Sequence, residues 1–550
     1  MEQWFDNPVS EWVWQTHYQA QQDQTVEDTW RRVARTLAAP ESDPSYWQER
    51  FFAALRGFRF VPGGRVLHGA GVGGERTLLN CFVSGALASD IDAEAERLKE
   101  VVSTLEYGGG VGADFSGVLA GEDGAGVSDF LRLWDDAAAR ASSSGARRGA
   151  LMGTLDWDHP EVLAFVHAKD DPAALNHFNL SVLLPDGFLA AAKQGRELAA
   201  GSNKERYVDA RALLMEIATS AWRHGEPGVL FVDRINAENN LWYRESIRAT
   251  NPCGEVPLPQ HGACVLGSVN LAALVCDPFS CRADFDFAAF SELIATAVRM
   301  LDNVIDVSTY PLPEQACIAR ATRRLGIGVM GLGDALAMLG LRYGDRPSLD
   351  LVETIFKTLR DVAYATSIEL ASEKAAFPAF VAERFCESGF ARRLPEPLRQ
   401  AVSDRGIRNS HLLAVAPTGT ISLLANNVSG GIEPIFALTA ERAITDIDGR
   451  VQHVGLTDYA YRAWQAAGAR GPLRPRFLTA PQITPADHIA IQASAQPYVD
   501  NAIAKTINLP EDASVADVIE IFYLADRAGL KGCTVFRSGG VRCGVMTPAG

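Results

Sequence analysis

Asn251-Pro252-Cys253-Gly254-Glu255 places a thiol between a carboxamide two residues before it and a carboxylate two residues after it, and Cys264 follows eleven residues past Cys253. Alternate residues of an extended segment point the same way, so an extended loop tip would aim all three groups at one substrate. Pro252 and Gly254, the spacers, punctuate backbone and do not build helix. A thiol, a hydrogen-bonding amide and a carboxylate base can together abstract hydrogen, orient a small molecule and move its proton. Five residues alone also read as a Pro-Gly turn around a buried structural cysteine. The surrounding chain has to decide.

Outward from this stretch, short apolar segments at 78–83, 178–184, 262–271 and 411–416 end in glycine-rich turns, and each leads into a longer amphipathic stretch. Strand-like segments alternating with helices to about Val535 predict parallel βαβ units and an α/β architecture. Residues 11–60 differ. Trp12, Trp14, Trp30, Val33, Leu37, Phe51, Phe52 and Leu55 recur near helical spacing, with a break at Asp43-Pro44. The expected division is a helical segment over 1–60, one large catalytic unit over 61–540 and a short tail over 541–550.

The formal net charge of −16 argues against bulk binding of nucleic acid or an anionic membrane. The chain has no apolar run long enough to span a bilayer, and its start lacks a basic region followed by an apolar one, so a cytoplasmic protein is expected. Nine cysteines scattered over 550 residues do not form a secreted disulfide framework. Cys276 and Cys281 have neither a second cysteine pair nor nearby histidines, so no metal site is expected.

Pro417-Thr418-Gly419-Thr420-Ile421-Ser422 follows the apolar run 412–416 and precedes a helical stretch. A strand, a Gly/Thr/Ser turn and a helix start gather backbone N–H groups and hydroxyls around one point, as an anion site requires; an ordinary capping turn, with Thr420 or Ser422 as cap, uses the same residues. The absence of a lysine after the glycine excludes a Walker A loop. The cluster 106–112, Glu-Tyr-Gly-Gly-Gly-Val-Gly, reads as a close-approach turn and does not fit the dinucleotide fingerprint. Cys81, inside the strand-like run 78–83, reads by itself as an inert small hydrophobe.

In this order, these segments resemble the catalytic chain of ribonucleotide reductase, and most closely class II, the adenosylcobalamin-dependent ribonucleoside-diphosphate reductases. The resemblance runs over nearly the whole chain. It takes in Asn7 to Glu11, Pro62 to Arg65, Asn80-Cys81, the block 106–116, Arg147 to Gly153, NPCGE, the block 324–333, PTGTIS and Lys531 to Phe536. It implies a ten-stranded α/β barrel of two five-stranded parallel halves with the Cys253 loop through its centre. It also implies roles. Cys253 would carry the thiyl radical that takes the 3′ hydrogen, Glu255 would be the base for the 3′ hydroxyl, and Asn251 would bind the sugar hydroxyls. Cys81 and Cys264 would be the reducing dithiol, which reverses the reading of Cys81 as inert. Asn80, Gly110, Pro252 and Gly254 would join them in lining the substrate pocket, and Pro417, Thr418, Gly419, Thr420, Ile421 and Ser422 would hold the substrate phosphates.

Within the resemblance, Gly532 to Phe536 lacks the tyrosine pair of class I relays, and Glu255 is the carboxylate that class III lacks. Adenosylcobalamin is therefore the expected cofactor, although no D-x-H-x-x-G motif for its lower face is present. A class I-type large subunit with a separate radical-generating partner and a triphosphate-specific reductase are the alternatives, with a catalytically silent nucleotide-binding paralogue further off. By position, Asp90, Ile91, Arg147 and Arg148 are expected to contact a deoxynucleoside triphosphate effector, beside a segment 116–145 shorter than in relatives. No N-terminal activity cone is expected before Asn7. Cys533 and Cys543 have nine residues between them and do not make the usual close tail pair. Reduction of the dithiol is accordingly expected from a thioredoxin-type reductant, a separate tail-bearing chain or a small dithiol, and a homodimer is expected.

Overall fold

The computed structural model describes residues 4–541, except 75, 88–89, 120–125, 142–148, 202–204, 446–450, 470–471 and 474, together with 547–548. Three helices open the chain: α1 (Pro8–His17), α2 (Val26–Ala38) and α3 (Pro44–Leu55). Each begins at a short polar cap. Asn7 accepts from Ser10 N at 2.9 Å, Thr25 and Asp28 close a capping box, and Asp43 accepts from Tyr46 N at 3.0 Å. The break at Asp43-Pro44 is thus a helix start, with proline in the first turn where its missing N–H has no partner to lose. On α2, Val26, Trp30, Val33 and Leu37 form the buried stripe.

Glu41, just beyond α2, ties this layer to two long helices, Phe287–Val307 and Arg346–Lys374. It accepts from Arg299 at 2.9 Å, Asn303 at 2.8 Å and Lys374 at 2.7 Å. Burial alone would raise its carboxyl, but the hydrogen bonds from Lys374 and Asn303 hold it below the usual carboxylate range.

The strands begin with β1 (Phe60–Pro62), β2 (Cys81–Val83), β3 (Gly110–Asp114), β4 (Leu151–Asp156), β5 (Phe178–Leu184), the side hairpin β6 (Glu197–Ala200) and β7 (Arg206–Asp209), and β8 (Gly228–Phe231). They continue with β9 (Ala249–Thr250), β10 (Pro257–Leu258), β11 (Ala263–Asn270), a second side hairpin of β12 (Val275–Cys276) and β13 (Asp284–Phe285), and β14 (Leu325–Met330). Then come β15 (Thr439–Thr445), β16 (Val451–Thr457), β17 (Thr506–Leu509), β18 (Gly532–Arg537) and β19 (Thr547–Pro548), of which β15, β16 and β19 form a side sheet.

Strands β2, β3, β4, β5 and β8 pair in parallel, in that order. On the other side β11 and β14 pair in parallel, as do β17 and β18. The gap between β14 and β17 is filled by 411–416, which makes two parallel bridges, Ile327↔Leu413 to β14 and Val415↔Ile503 to the residues that lead into β17. The two halves meet antiparallel, β2 on β11 and β8 on β18. Among the described residues the hydrogen-bonded path therefore returns to its start through ten segments, five in each parallel half. The strands carry near-continuous apolar runs because both faces are covered: all eight residues of β11 and all six of β14 are buried.

The segment 411–416 has bridges instead of the regular strand its sequence predicts, because side chains take over the pairing. Asp500 accepts from the backbone N–H groups of Leu412 and Leu413, each at 2.8 Å, and from Tyr364 Oη at 2.8 Å. Asn501 Nδ2 donates to Leu413 O at 2.8 Å and Leu325 O at 3.2 Å. Lys531 Nζ, on the turn into β18, donates to Asp500 O and Asn501 O at 2.7 and 2.6 Å. Buried backbone groups must be paired, and here a carboxylate and an amide do the work of a strand. Asp500→Ala leaves two N–H groups and a phenol without acceptors, so unfolding free energy should fall by about 3–5 kcal/mol. A denaturant midpoint unchanged from the wild type would show that Asp500 does not hold the closure.

Candidate active site

Strands β9 and β10 pair for two residues each, Thr250↔Pro257 and Ala249↔Leu258, and project 251–256 as a finger loop. The tip is not extended. Gly254 N donates to Asn251 O at 3.0 Å, closing a four-residue turn with Pro252 second and Gly254 fourth. Gly254 has φ +85°, a conformation that strains any residue with a Cβ. Asn251 staples the turn: its N–H donates to Val256 O at 3.1 Å, and its Oδ1 accepts from Val256 N at 2.9 Å. The expectation that Asn251, Cys253 and Glu255 share a face by strand alternation is therefore corrected. Chain reversal gathers them, with Asn251 and Glu255 each 2 % exposed and Cys253 exposed at the apex.

The finger reaches both halves of the barrel. Asn179 on β5 donates Nδ2 to Pro252 O at 2.7 Å, and Thr154 on β4 donates Oγ1 to Arg248 O at 2.8 Å. From the other half, Ala502 N donates to Glu255 O at 2.9 Å and Arg324 Nη1 donates to Pro257 O at 2.9 Å. The glycine cluster at 108–112 serves this approach. A Cβ on Gly112 would lie 1.7 Å from Thr250 O, and one on Gly110 would lie 2.9 Å from Pro252 Cγ.

Cys81 and Cys264 are register partners across the antiparallel seam of β2 and β11. Both are buried free thiols. Residues directly opposite in such a pair have Cβ atoms about 4.5–5.5 Å apart, and a disulfide needs about 3.5–4.5 Å, so roughly an ångström of approach closes the bond. Asn251 Nδ2 donates to Cys81 Sγ at 3.2 Å, which brings the finger onto the dithiol. Burial pushes the Cys81 thiol well up, and the nearby Glu255, Cys264 and Cys253 push the same way. Burial also raises Cys264, against the opposing pull of Arg324. Both sulfurs therefore stay protonated at neutral pH and carry hydrogen to give, instead of acting as thiolate nucleophiles.

Asn80 and Gly110 adjoin this pair: Gly110 N donates to Asn80 O at 2.9 Å, Asn80 N donates to Cys264 O at 3.3 Å, and Gly110 is the register partner of Cys81 on β3. The predicted phosphate turn leaves the barrel where 411–416 ends. Its cap is neither Thr420 nor Ser422. Thr418, at φ +53°, occupies the N-cap position of the short helix Gly419–Leu424, and no side chain caps that helix start. The Thr418 hydroxyl accepts from Gly431 N at 2.9 Å, and Ser422 Oγ turns back to Gly419 O at 3.3 Å. Gly419 is exposed, Pro417 and Thr420 are half-buried, and Ile421 and Ser422 are buried. Val415 N donates to Ala502 O at 3.1 Å, so the turn and Glu255 hang from the same segment.

Asp90 caps the helix Ile91–Glu106, accepting from Asp92 N at 3.2 Å and Ala93 N at 3.3 Å. Arg147 and Arg148 lie outside the described residues, as do the Ile91 side chain and Cys543. Residues to which the sequence reading gave no role are Arg248, Asn179, Thr154, Arg324 and Asp500. Their only signal was polarity beside an apolar strand or a motif.

Residues 79–536 match the family model described as ribonucleotide reductase, barrel domain, and residues 5–75 the one described as ribonucleotide reductase, all-alpha domain. The chain is 37% identical, over 94% of its length and 76% of the relative's, to a vitamin B12-dependent ribonucleoside-diphosphate reductase of Mycobacterium tuberculosis strain CDC 1551 / Oshkosh. A protein of the same description from strain ATCC 25618 / H37Rv is 38% identical over 92% of this chain and 74% of its own. One from Thermoplasma acidophilum is 30% identical over 96% and 70%.

The seam geometry has a direct chemical check. Oxidation of the folded protein with diamide should yield a Cys81–Cys264 cross-linked peptide in mass-spectrometric mapping, lost in Cys264→Ser. A Cys81–Cys253 link in its place would contradict the register.

Proposed function

The chain belongs to the ribonucleotide reductase family, and we propose that it reduces ribonucleoside diphosphates to 2′-deoxyribonucleoside diphosphates with adenosylcobalamin as radical source. The meeting of Cys81 with Cys264 across one seam, with the Asn251 amide on Cys81 Sγ, carries the reading. Among the described residues, β18 presents no tyrosine, and the Cys253 side chain is exposed at the apex of the finger, open to a radical source from outside the chain. Those two features fit the cofactor. Adenosylcobalamin, when bound, would supply the radical chemistry that makes the exposed Cys253 thiol a thiyl.

The chain's own groups do the rest. Cys253 Sγ removes the 3′ hydrogen of the ribose and returns it at the end. Glu255 accepts the 3′ hydroxyl proton, and Asn251 orients the sugar hydroxyls. The 2′ hydroxyl leaves as water, and Cys81 and Cys264 supply two electrons and two protons and end as a disulfide. Diphosphate plus dithiol thus becomes deoxynucleoside diphosphate, disulfide and water. Asn80, Gly110, Pro252 and Gly254 line the sugar. The turn Pro417, Thr418, Gly419, Thr420, Ile421 and Ser422 holds the phosphates through its uncapped N–H groups.

The same reading assigns 1–60 to the helical layer, 61–540 to the barrel and 541–550 to a tail. It places a deoxynucleoside triphosphate effector at Asp90, Ile91, Arg147 and Arg148, a thioredoxin-type reductant or a separate tail-bearing chain at the dithiol, and a homodimer in the cytoplasm. Among the described residues no helix is long and apolar enough to cross a membrane.

The test is CDP reduction with adenosylcobalamin and dithiothreitol and no second protein, run beside CTP. Deoxycytidine diphosphate should form, and Cys253→Ser should abolish it while nucleotide binding by calorimetry stays within about twofold. Product only on adding a radical-generating subunit would favour the class I alternative, and a preference for CTP the triphosphate-specific one.

A further inference from the structure

Residues 110, 112 and 114 alternate onto one face of β3. Over Gly110 lies Pro252, over Gly112 lies Thr250 O, and Asp114 Oδ2 accepts from Arg248 Nε at 2.7 Å. Each step of two along β3 meets a step of two back along the finger. The arm Arg248–Pro252 therefore lies antiparallel over the strand in a single register. Arg248 forks: its Nη2 pairs with Asp156 at the end of β4. The second oxygen of Asp114 is itself fixed by Ser116 N at 3.1 Å and Ser116 Oγ at 2.6 Å, and Ser116 Oγ accepts from Asp156 N at 2.9 Å.

The fork sits in a cavity of about 410 Å³ lined also by Ser84, Ser246, Leu258 and Gln260, where the Arg248 side chain is 41 % exposed. One such half-exposed pair contributes little to stability. What the fork contributes is position. At Gly110 and Gly112 this face offers the arm no side chain to interlock with, and register is weakly specified on glycine-rich strands. The smallest slip that keeps the faces is two residues, about 6.6 Å, which would carry Cys253 away from Cys81 and Cys264.

We infer that Arg248, gripped by Asp114 and Asp156, sets the register of the finger arm and so places Cys253 over the dithiol. It is a positioning residue. It lies four residues from the Pro252–Gly110 contact, roughly 13 Å along the strand, and so acts through the arm. Asn179 and Ala502 tie the tip, whereas Arg248 ties the base to two strands at once. The inference rests on the reductase reading for its catalytic consequence, but the lock itself is a property of the chain.

Arg248→Ala in the full chain should lower kcat for CDP about 100-fold while KM stays within about twofold, since misplacing a reacting group by an ångström costs that much. Hydrogen exchange at the amides of Asn251, Gly254 and Val256 should speed up about tenfold or more in the same variant. Arg248→Lys, which reaches one carboxylate but cannot fork across two, should recover kcat to within about tenfold of the wild type. Should Arg248→Ala fail to fold, Asp156→Asn loosens the fork and should change exchange and kcat in the same direction. Unchanged exchange and kcat in a folded variant would overturn the inference, and so would a rise in KM matching the fall in kcat. A wild type that makes no product defeats the proposed reaction alone, because the exchange comparison still decides whether Arg248 holds the finger.

Discussion

A carbonyl oxygen stands where Gly112 would otherwise carry its Cβ, 1.7 Å from the position that atom would take. Every other property of the site depends on that absence. The finger can lie on the inner face of β3 only because the strand has no side chains at Gly110 and Gly112, and the turn at Asn251 to Gly254 meets the dithiol only because the finger lies that deep. Glycine in a strand costs on the order of 0.5–1 kcal/mol relative to alanine and leaves nothing to pack. The barrel accepts that cost at Gly110 and Gly112 and fills the space with its own loop.

Much of this was legible in the chain. The run 178–184 is a strand with the bounds its apolar pattern predicts, and the Asp-Pro break at 43–44 is a helix start. The glycine cluster announced a close approach without saying to what. Other features were hidden for physical reasons. Strand alternation gave the wrong geometry for the finger tip, because a positive φ at Gly254 and a hydrogen bond to Asn251 O override extended preference. Asp500 acts through Leu412 and Leu413, 88 and 87 residues away, and nothing local to any of the three marks the pairing. The opposition of Cys81 to Cys264 follows from an antiparallel seam between two parallel halves, a topological fact that no spacing encodes.

The electrostatics divide the molecule in the same way. Charges that hold the frame are buried and satisfied: Glu41 among Arg299, Asn303 and Lys374, and Asp23 against Arg32 at 2.8 Å. Such groups are strongly destabilising to truncate because their partners cannot regain water. Around the sulfurs the balance is different. Burial keeps the two thiols neutral, with the Arg324 guanidinium drawing Cys264 back toward ionisation. A site meant to give away hydrogen atoms is served by that neutrality.

The seam between the halves then acquires a second meaning. Cys81 belongs to one parallel half and Cys264 to the other, while at the opposite seam Cys533 faces Val229, which offers no sulfur. In the proposed cycle each turnover fastens the barrel along one edge with a covalent latch, and each recharging undoes it. Joining positions so far apart in the chain restricts the unfolded ensemble, by about 5 kcal/mol on the chain-entropy estimate for a loop of roughly 180 residues. The spent molecule is therefore the sturdier one, and resistance to heat becomes a gauge of how much reducing power the protein has left.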